Sequence, residues 1–303
     1  MGAVLVKAAA FVLIIVMGYV LKRKGFFHAD DFYLISRIVI RITLPCAIIA
    51  NFSSITMETS LLVLCLAGIL CNGLMVLIGY MINLHRSGEQ KAFDMINLSG
   101  YNIGNFTLPF VQSFLGPVGF AATSLFDAGN SVMCTGVSYT LASLAKGGEQ
   151  KASARLILKS LFSSLPFDAY VLMTVLVCLN IRIPGLVLSF AQTAGNANPF
   201  LALLMIGIGF ELRMEKDKLK HILRILGLRY GTALLLSLAA YFLLPFPLEV
   251  RQAMAIVAFG PVSSVATAFT GRLGGDVELS SAVNSLSIVT SIITITAALI
   301  VVL

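Results

Sequence analysis

Two stretches concentrate the residue types that could hold a small charged molecule in an apolar setting. The first reads Asn97-Leu-Ser-Gly-Tyr-Asn-Ile-Gly-Asn-Phe-Thr-Leu-Pro109, the second Val257-Ala-Phe-Gly-Pro-Val-Ser-Ser-Val-Ala-Thr267. Pro109 and Pro261 each remove a backbone donor and break a helical ladder. The freed groups are costly in hydrocarbon unless protein or a water-filled cavity satisfies them. A half-helix beginning at such a break presents amides worth roughly +0.5 charge, and proline suits its first turn. Two such ends meeting would form an anion site. Asn102 and Asn105 are spaced to share a helical face and can offer amide donors to a carboxylate. Gly104, Thr107 and Ser263 complete the candidate set. Proline and glycine also serve as packing kinks in membrane helices. The match between the two stretches is what favours binding.

Ionisable residues inside apolar runs are functional candidates by default. Arg37 and Arg41 lie four apart, near Thr43 and Pro45. Arg37 is close enough to a span end to snorkel. Arg41 is deeper, where it could pair with a substrate carboxylate or with one of the protein's own. Asp127, with Asn130 one turn on, and Asp168, two residues after Pro166, are the coupling candidates. A carboxyl in hydrocarbon can take up and release a proton through a transport cycle. The competing role is a fixed salt bridge with Arg41 or Arg229. Asp94 and Glu211 fall near span ends and read as structural. His28, His85 and His221 read as solvated loop residues. No metal-ligand spacing occurs, and no cofactor is expected. Cys46, Cys65, Cys71, Cys134 and Cys178 form no CxxC pair and read as small buried hydrophobes.

These residues need elements to position them, and composition says which. Of 303 residues, 58% are apolar and 12% charged, against about 45–50% and 25% in soluble domains. The excess calls for hydrocarbon as solvent. The chain reads as an all-α polytopic membrane protein of ten spans. These are Ala3 to Leu21, Asp31 to Phe52, Ser60 to Asn83, Ala92 to Ser113 and Pro117 to Leu144. After a polar linker come Ile157 to Leu179, Gly185 to Leu212, Leu219 to Leu244, Val250 to Arg272 and Leu279 to Val302. Gly195-Asn-Ala-Asn-Pro199 suggests an interfacial or broken piece in the seventh.

The net charge of +7 is a topology signal rather than a nucleic-acid one. Lys22, Arg23, Lys24, Arg86, Lys91, Lys146, Lys151, Arg155, Lys159, Arg213, Lys216, Lys218, Lys220, Arg224 and Arg272 fall in loops or at the span ends beside them, on one side. Arg182, Arg251 and Lys7 fall on the other. Basic loops stay in the cytoplasm, so both termini are expected outside. Lys22-Arg23-Lys24 follows the first apolar run instead of preceding it, so that run reads as an uncleaved helix. The polar break after the fifth span divides the chain into residues 1–144, a linker at 145–156 and residues 157–303. Five spans per half make the second half inverted relative to the first, an arrangement frequent in secondary transporters.

An intramembrane enzyme is disfavoured. No histidine lies in the interior of a predicted span (His221 is at the very start of the eighth), Asp30-Asp31 lacks the partner of a diphosphate-binding motif, and there is no Walker A sequence. A channel or sensor on a carrier fold is the alternative to a secondary carrier.

The ordered set of motifs resembles the auxin efflux carrier family, whose bacterial members are typically organic-acid permeases of the malonate or malate type. The resemblance covers nearly the whole chain. It runs from Gly18-Tyr19, the basic cluster and Gly25-Phe26, through Leu44-Pro45 and Asn102-Ile-Gly-Asn-Phe-Thr-Leu-Pro109, to Pro199, Gly207 and Leu212. It ends with Pro261 and the Asp276, Ala282, Ser285-Leu286 region. It implies two inverted five-helix repeats in which broken helices 4 and 9 cross. Helices 1, 2, 6 and 7 would form a scaffold, and helices 3–5 and 8–10 a moving transport domain. The implied partners are a small organic anion bound beside the crossing, a proton or sodium as coupling ion, and the lipid bilayer. A bacterial inner membrane and a homodimer are further expectations. The family often has Gly two residues before the helix 4 proline. Thr107 stands there instead, adding a hydroxyl or narrowing the site.

Overall fold

The computed structural model describes residues 2–28, 30–55, 59–147, 154–211 and 216–303. The expected positions Lys151, Leu212 and Arg213 lie outside them, as does the middle of the 145–156 linker. Among the described residues the chain is helical, with no strand beyond one isolated antiparallel bridge between Tyr101 and Val262.

The first half runs α1 (Gly2–Arg23), α2 (Asp31–Ile38), α3 (Leu44–Phe52), α4 (Val63–Met81), α5 (Gly88–Leu98), α6 (Leu108–Phe114), α7 (Gly116–Val132) and α8 (Ser138–Lys146). The second half runs α9 (Ala154–Leu161), α10 (Leu165–Cys178), α11 (Gly185–Asn196), α12 (Asn198–Gly209), α13 (Leu219–Leu243), α14 (Leu248–Val257), α15 (Val265–Arg272) and α16 (Val277–Val302). Among the described residues, five helical stretches are long and apolar enough to cross a membrane: Val4–Arg23, Asp31–Phe52, Ser60–Met81, Leu219–Leu243 and Val277–Val302. The other expected spans are assembled from shorter pieces.

Proline explains two of the irregularities. A π-helical stretch, Val39–Thr43, joins α2 to α3 just before Pro45, and another, Ile103–Thr107, leads into α6 just before Pro109. Proline has no N–H for the carbonyl four residues back. The ladder therefore slips to wider bonds ahead of it, Leu44 N–H to Val39 O and Leu108 N–H to Ile103 O. The carbonyls that lose their helical partners belong to Arg41 and Asn105.

Three expectations are corrected here. The sixth span is not continuous: α9 ends at Leu161, and α10 starts at Leu165 with Pro166 in its first turn. Asp168 consequently lies in the first turn of α10, not mid-helix. The fourth span does not break at Pro109. It breaks at residues 99–102, where Gly100 adopts φ +74°, and Pro109 sits inside the half-helix that follows. Pro261 likewise precedes the first turn of α15 by several residues instead of occupying it.

The helices pack in two groups. In one, α1 runs along α12, and α3 packs on α10 and α11. In the other, α4 packs on α5 and α7, α13 on α14, α14 on α7, and α15 on α16. The groups meet where α3 touches α7, α6 touches α12 and α1 touches α16. The closest helix pairs use small residues, as expected where no hydrophobic force drives helices together in lipid. A methyl on Gly129 of α7 would run into the Cys65 carbonyl of α4, and one on Gly207 of α12 into the Ile15 carbonyl of α1.

Candidate functional site

The two interruptions, residues 99–102 and 258–264, run antiparallel through the middle of the second group. Asn102 N–H donates to Pro261 O at 2.9 Å, and Ser263 N–H to Gly100 O at 3.3 Å. These bonds dispose of part of the backbone polarity that each break releases.

Side chains from neighbouring helices satisfy more of it. At the first interruption, Asn72 of α4 accepts from Gly100 N–H at 2.7 Å. Asn130 of α7 grips Tyr101 on both sides, accepting from its N–H at 3.0 Å and donating to its carbonyl at 2.8 Å. At the second, Ser287 of α16 accepts from Val262 N–H at 3.0 Å. Asn284 donates to the carbonyls of Val262 and Ser263 at 3.1 and 3.3 Å.

Arg229, mid-way along α13, serves both. Its guanidinium donates to Leu98 O, to Gly100 O and Gly260 O at 2.9 Å each, and to Pro261 O at 3.1 Å. It lies 4.7 Å from the Tyr101 ring centroid and has 0% exposure. No carboxylate pairs with it among the described residues. The carbonyl-rich C-terminal ends of α5 and α14 carry partial negative charge, and this cation neutralises them.

The opposite ends of the breaks are the openings of the Ile103–Thr107 stretch and of α15. Their first amides have no partner within the helix and carry partial positive charge. Asn102 and Asn105 stand here, both half-buried. Asn102 (φ −84°, ψ 74°) lies outside the helix, so the two do not share a helical face as their spacing suggested. Neither side chain has a hydrogen-bond partner among the described residues. Gly104 brings this turn against its surroundings. A Cβ there would lie 3.2 Å from the Leu44 side chain and 3.7 Å from Asp127 Oδ2.

The remaining candidates separate clearly. Arg41 is exposed and unpaired among the described residues, on the Val39–Thr43 stretch that adjoins Ile103–Thr107. Arg37 is also exposed. Thr43 is buried and donates to Asn198 Oδ1 of α12 at 3.0 Å. Thr107 is fully buried, with its hydroxyl toward Asn102 O and 3.0 Å from where a Gly260 Cβ would stand. Ser263 is buried. Asn130 is committed to the backbone and to Asp127. Asp127 is 7% exposed. It accepts from Asn130 at 2.9 Å and from the Tyr170 hydroxyl of α10 at 2.9 Å. Neither Arg41 nor Arg229 bridges to it. Asp168, half-buried, has no side-chain partner among the described residues.

Away from the interruptions, His221 departs from the solvated reading. It and Arg224, both on α13, hold the buried Asp94 of α5, with His221 Nε2 2.7 Å from Asp94 Oδ1. Asn83 donates to Asp94 Oδ2 at 2.7 Å. Sequence alone does not single out four residues that hold the paired segments, nor Tyr170, which holds Asp127. Arg229, Asn72, Asn284 and Ser287 are polar groups inside apolar runs, which is a usable signal. Tyr170 gives none.

A family model described as membrane transport protein matches residues 3–299. The chain belongs to this family, the auxin efflux carrier-like membrane transporters. No curated protein matches the chain. The transporter is therefore a multi-pass membrane protein with a transported substrate, from a family of transporters rather than enzymes. Among its described residues no His, Cys, Asp or Glu cluster has the make-up of a metal site.

Proposed function

We propose that this transporter carries small organic anions, either mono- or dicarboxylates of the malonate, malate or auxin type, by alternating access at the paired interruptions. The observation that carries the reading is the grouping of unspent donors on one side of the pairing. Asn102 and Asn105 have no hydrogen-bond partners among the described residues, next to the positive opening of a half-helix. Arg41 projects, unpaired, from the adjoining stretch. A carboxylate placed there receives amide donors and a charge-assisted bond.

The internal geometry supports an inverted repeat with spans 4 and 9 crossing. Each interruption is held by the span before it (Asn72 in one half, Arg229 in the other) and by the span after it (Asn130, then Asn284). The two packing groups match a scaffold of spans 1, 2, 6 and 7 against a moving domain of spans 3–5 and 8–10. The basic loops favour a cytoplasmic face at that end and termini outside.

Asp127 is the stronger coupling candidate. It lies against both the Gly104 turn and Tyr170 of the opposite group, so its protonation state bears on how the groups meet. Asp168 sits at a helix start with no comparable contacts. A proton fits this carboxyl–phenol–amide set better than sodium, which wants several oxygen ligands.

Uptake of labelled malonate, malate and indole-3-acetate into proteoliposomes, with and without an imposed pH gradient, tests the reading. At least one anion is expected to accumulate saturably in wild type. Asp127→Asn is expected to abolish the gradient's contribution and keep exchange of unlabelled for labelled anion. No uptake of any carboxylate by folded protein would reject the proposal.

A further inference from the structure

Arg229 poses a separate question. A buried guanidinium normally needs a carboxylate, and none pairs with it among the described residues. What surrounds it is a cage of four carbonyl oxygens, Leu98 and Gly100 from one interruption and Gly260 and Pro261 from the other. The Tyr101 ring lies on one face, 4.7 Å from its centroid. Two helix C-terminal ends, each with partial negative charge, converge on the same point. That is the chemistry of a cation-binding site, and its oxygens come from both of the paired segments, beside the two backbone hydrogen bonds that already join them.

We propose that this cage is a cation site whose occupant is the protein's own guanidinium, and that a free guanidinium-type cation will occupy it once Arg229 is cut back. The planar fork of Arg presents donors along two edges. Nη1 serves the α5 end, while Nη2 spans both interruptions. The aromatic face completes a slot for a flat cation. Arg229 is thus a positioning residue. It fixes the two broken spans to each other through their carbonyls and leaves the amide-bearing openings on the other side free for a negatively charged guest. The inference does not depend on which anion is carried.

The test is chemical rescue in purified protein, read as the thermal unfolding midpoint without any transport substrate. Arg229→Ala is titrated with millimolar ethylguanidinium chloride, with ethylammonium chloride and sodium chloride as matched-ionic-strength controls. The expected result is a saturable rise of about 5 °C or more with ethylguanidinium. The controls give little, and wild type gives none. No saturable rise, an equal rise in wild type, or an equal rise with sodium would overturn the assignment. Arg229→Lys and Arg229→Met guard against an Ala variant that does not fold. The Lys protein should unfold several degrees above the Met protein, and a Met variant as stable as the Lys one would also overturn it.

Discussion

The two interruptions solve one problem with different chemistry. Each is a stretch of irregular backbone in an apolar interior, and each must satisfy its own backbone groups. The first, residues 99–102, has the Gly100 and Tyr101 amides and the Tyr101 carbonyl held by neutral side chains, Asn72 on Gly100 and Asn130 on both sides of Tyr101, with Arg229 only on the Gly100 carbonyl. It also has a carboxylate close by, Asp127. The second, residues 258–264, is held by hydroxyl and amide groups from α16 and by the cation Arg229, which reaches across to the first. Neutral groups suit the segment that leads into the candidate binding turn, because they leave its positive end unmasked. A fixed cation suits the carbonyl ends, which would otherwise be uncompensated negative poles in a low-dielectric setting.

This contrast can be broken at the asparagines first. Asn130→Ala removes the donor and acceptor that serve Tyr101 and leaves both backbone groups buried. The expected loss is about 2–4 kcal/mol of unfolding free energy, read by denaturant titration in detergent, with transport abolished. Asn284→Ala should cost about 1 kcal/mol, because Ser287 still holds the Val262 amide. Equal losses would mean that the two segments are held alike.

The glycines sharpen the comparison at a smaller scale. Gly100 has φ +74°, and a Cβ there would lie 3.0 Å from Ser263 Cβ and 3.2 Å from Cys134 Sγ. Left-handed backbone costs a side chain about 1–2 kcal/mol, so Gly100→Ala should lose about 2 kcal/mol. Gly260 has no such backbone requirement, and its added methyl would press chiefly on the Thr107 hydroxyl at 3.0 Å and the Val257 carbonyl at 3.2 Å. Gly260→Ala should lose about 1 kcal/mol by crowding. Thermal midpoints of the two variants decide the order.

The smallest effect lies outside the spans. Asp276 caps α16, accepting from Leu279 N–H at 2.9 Å, and pairs with Lys218 at 2.7 Å. Partial burial pushes its carboxyl up. The Lys218 ammonium and the amides of Leu279 and Glu278 outweigh that and leave it below the ordinary value. A lowered native value means that its stabilisation is present above the unfolded value of about 4 and is lost as pH falls through the native one. Asp276→Asn should flatten the acid limb below about pH 4 and change the midpoint at pH 7 by about 1 °C or less, since Asn also caps. An unchanged acid limb would remove the linkage.

Much of this molecule is written in its local sequence. Apolar runs locate the membrane helices, and Gly100, Pro109 and Pro261 mark the interrupted regions. What local sequence does not carry is where each break falls. Pro109 suggests itself as the breaking point, yet its missing N–H is absorbed by a π-helical slip, and the true interruption starts ten residues earlier, where Ser99 turns extended and Gly100 follows with left-handed backbone. Side-chain partners are similarly hidden. Asp127 meets Tyr170 and Asn130 instead of an arginine because α10 and α7 are neighbours only in three dimensions. Arg229 finds carbonyls, a partner class with no signature in sequence. His221 sits in a polar stretch, but the start of α13 folds over Asp94.

Direct binding of labelled malonate and malate to purified protein, compared with an Asn102→Ala/Asn105→Ala double variant of matched thermal midpoint, tests the central claim most directly. Wild type is expected to bind at least one anion saturably, and the double variant with at least tenfold weaker affinity. Equal affinity in the two proteins would contradict it and move the anion away from the paired segments.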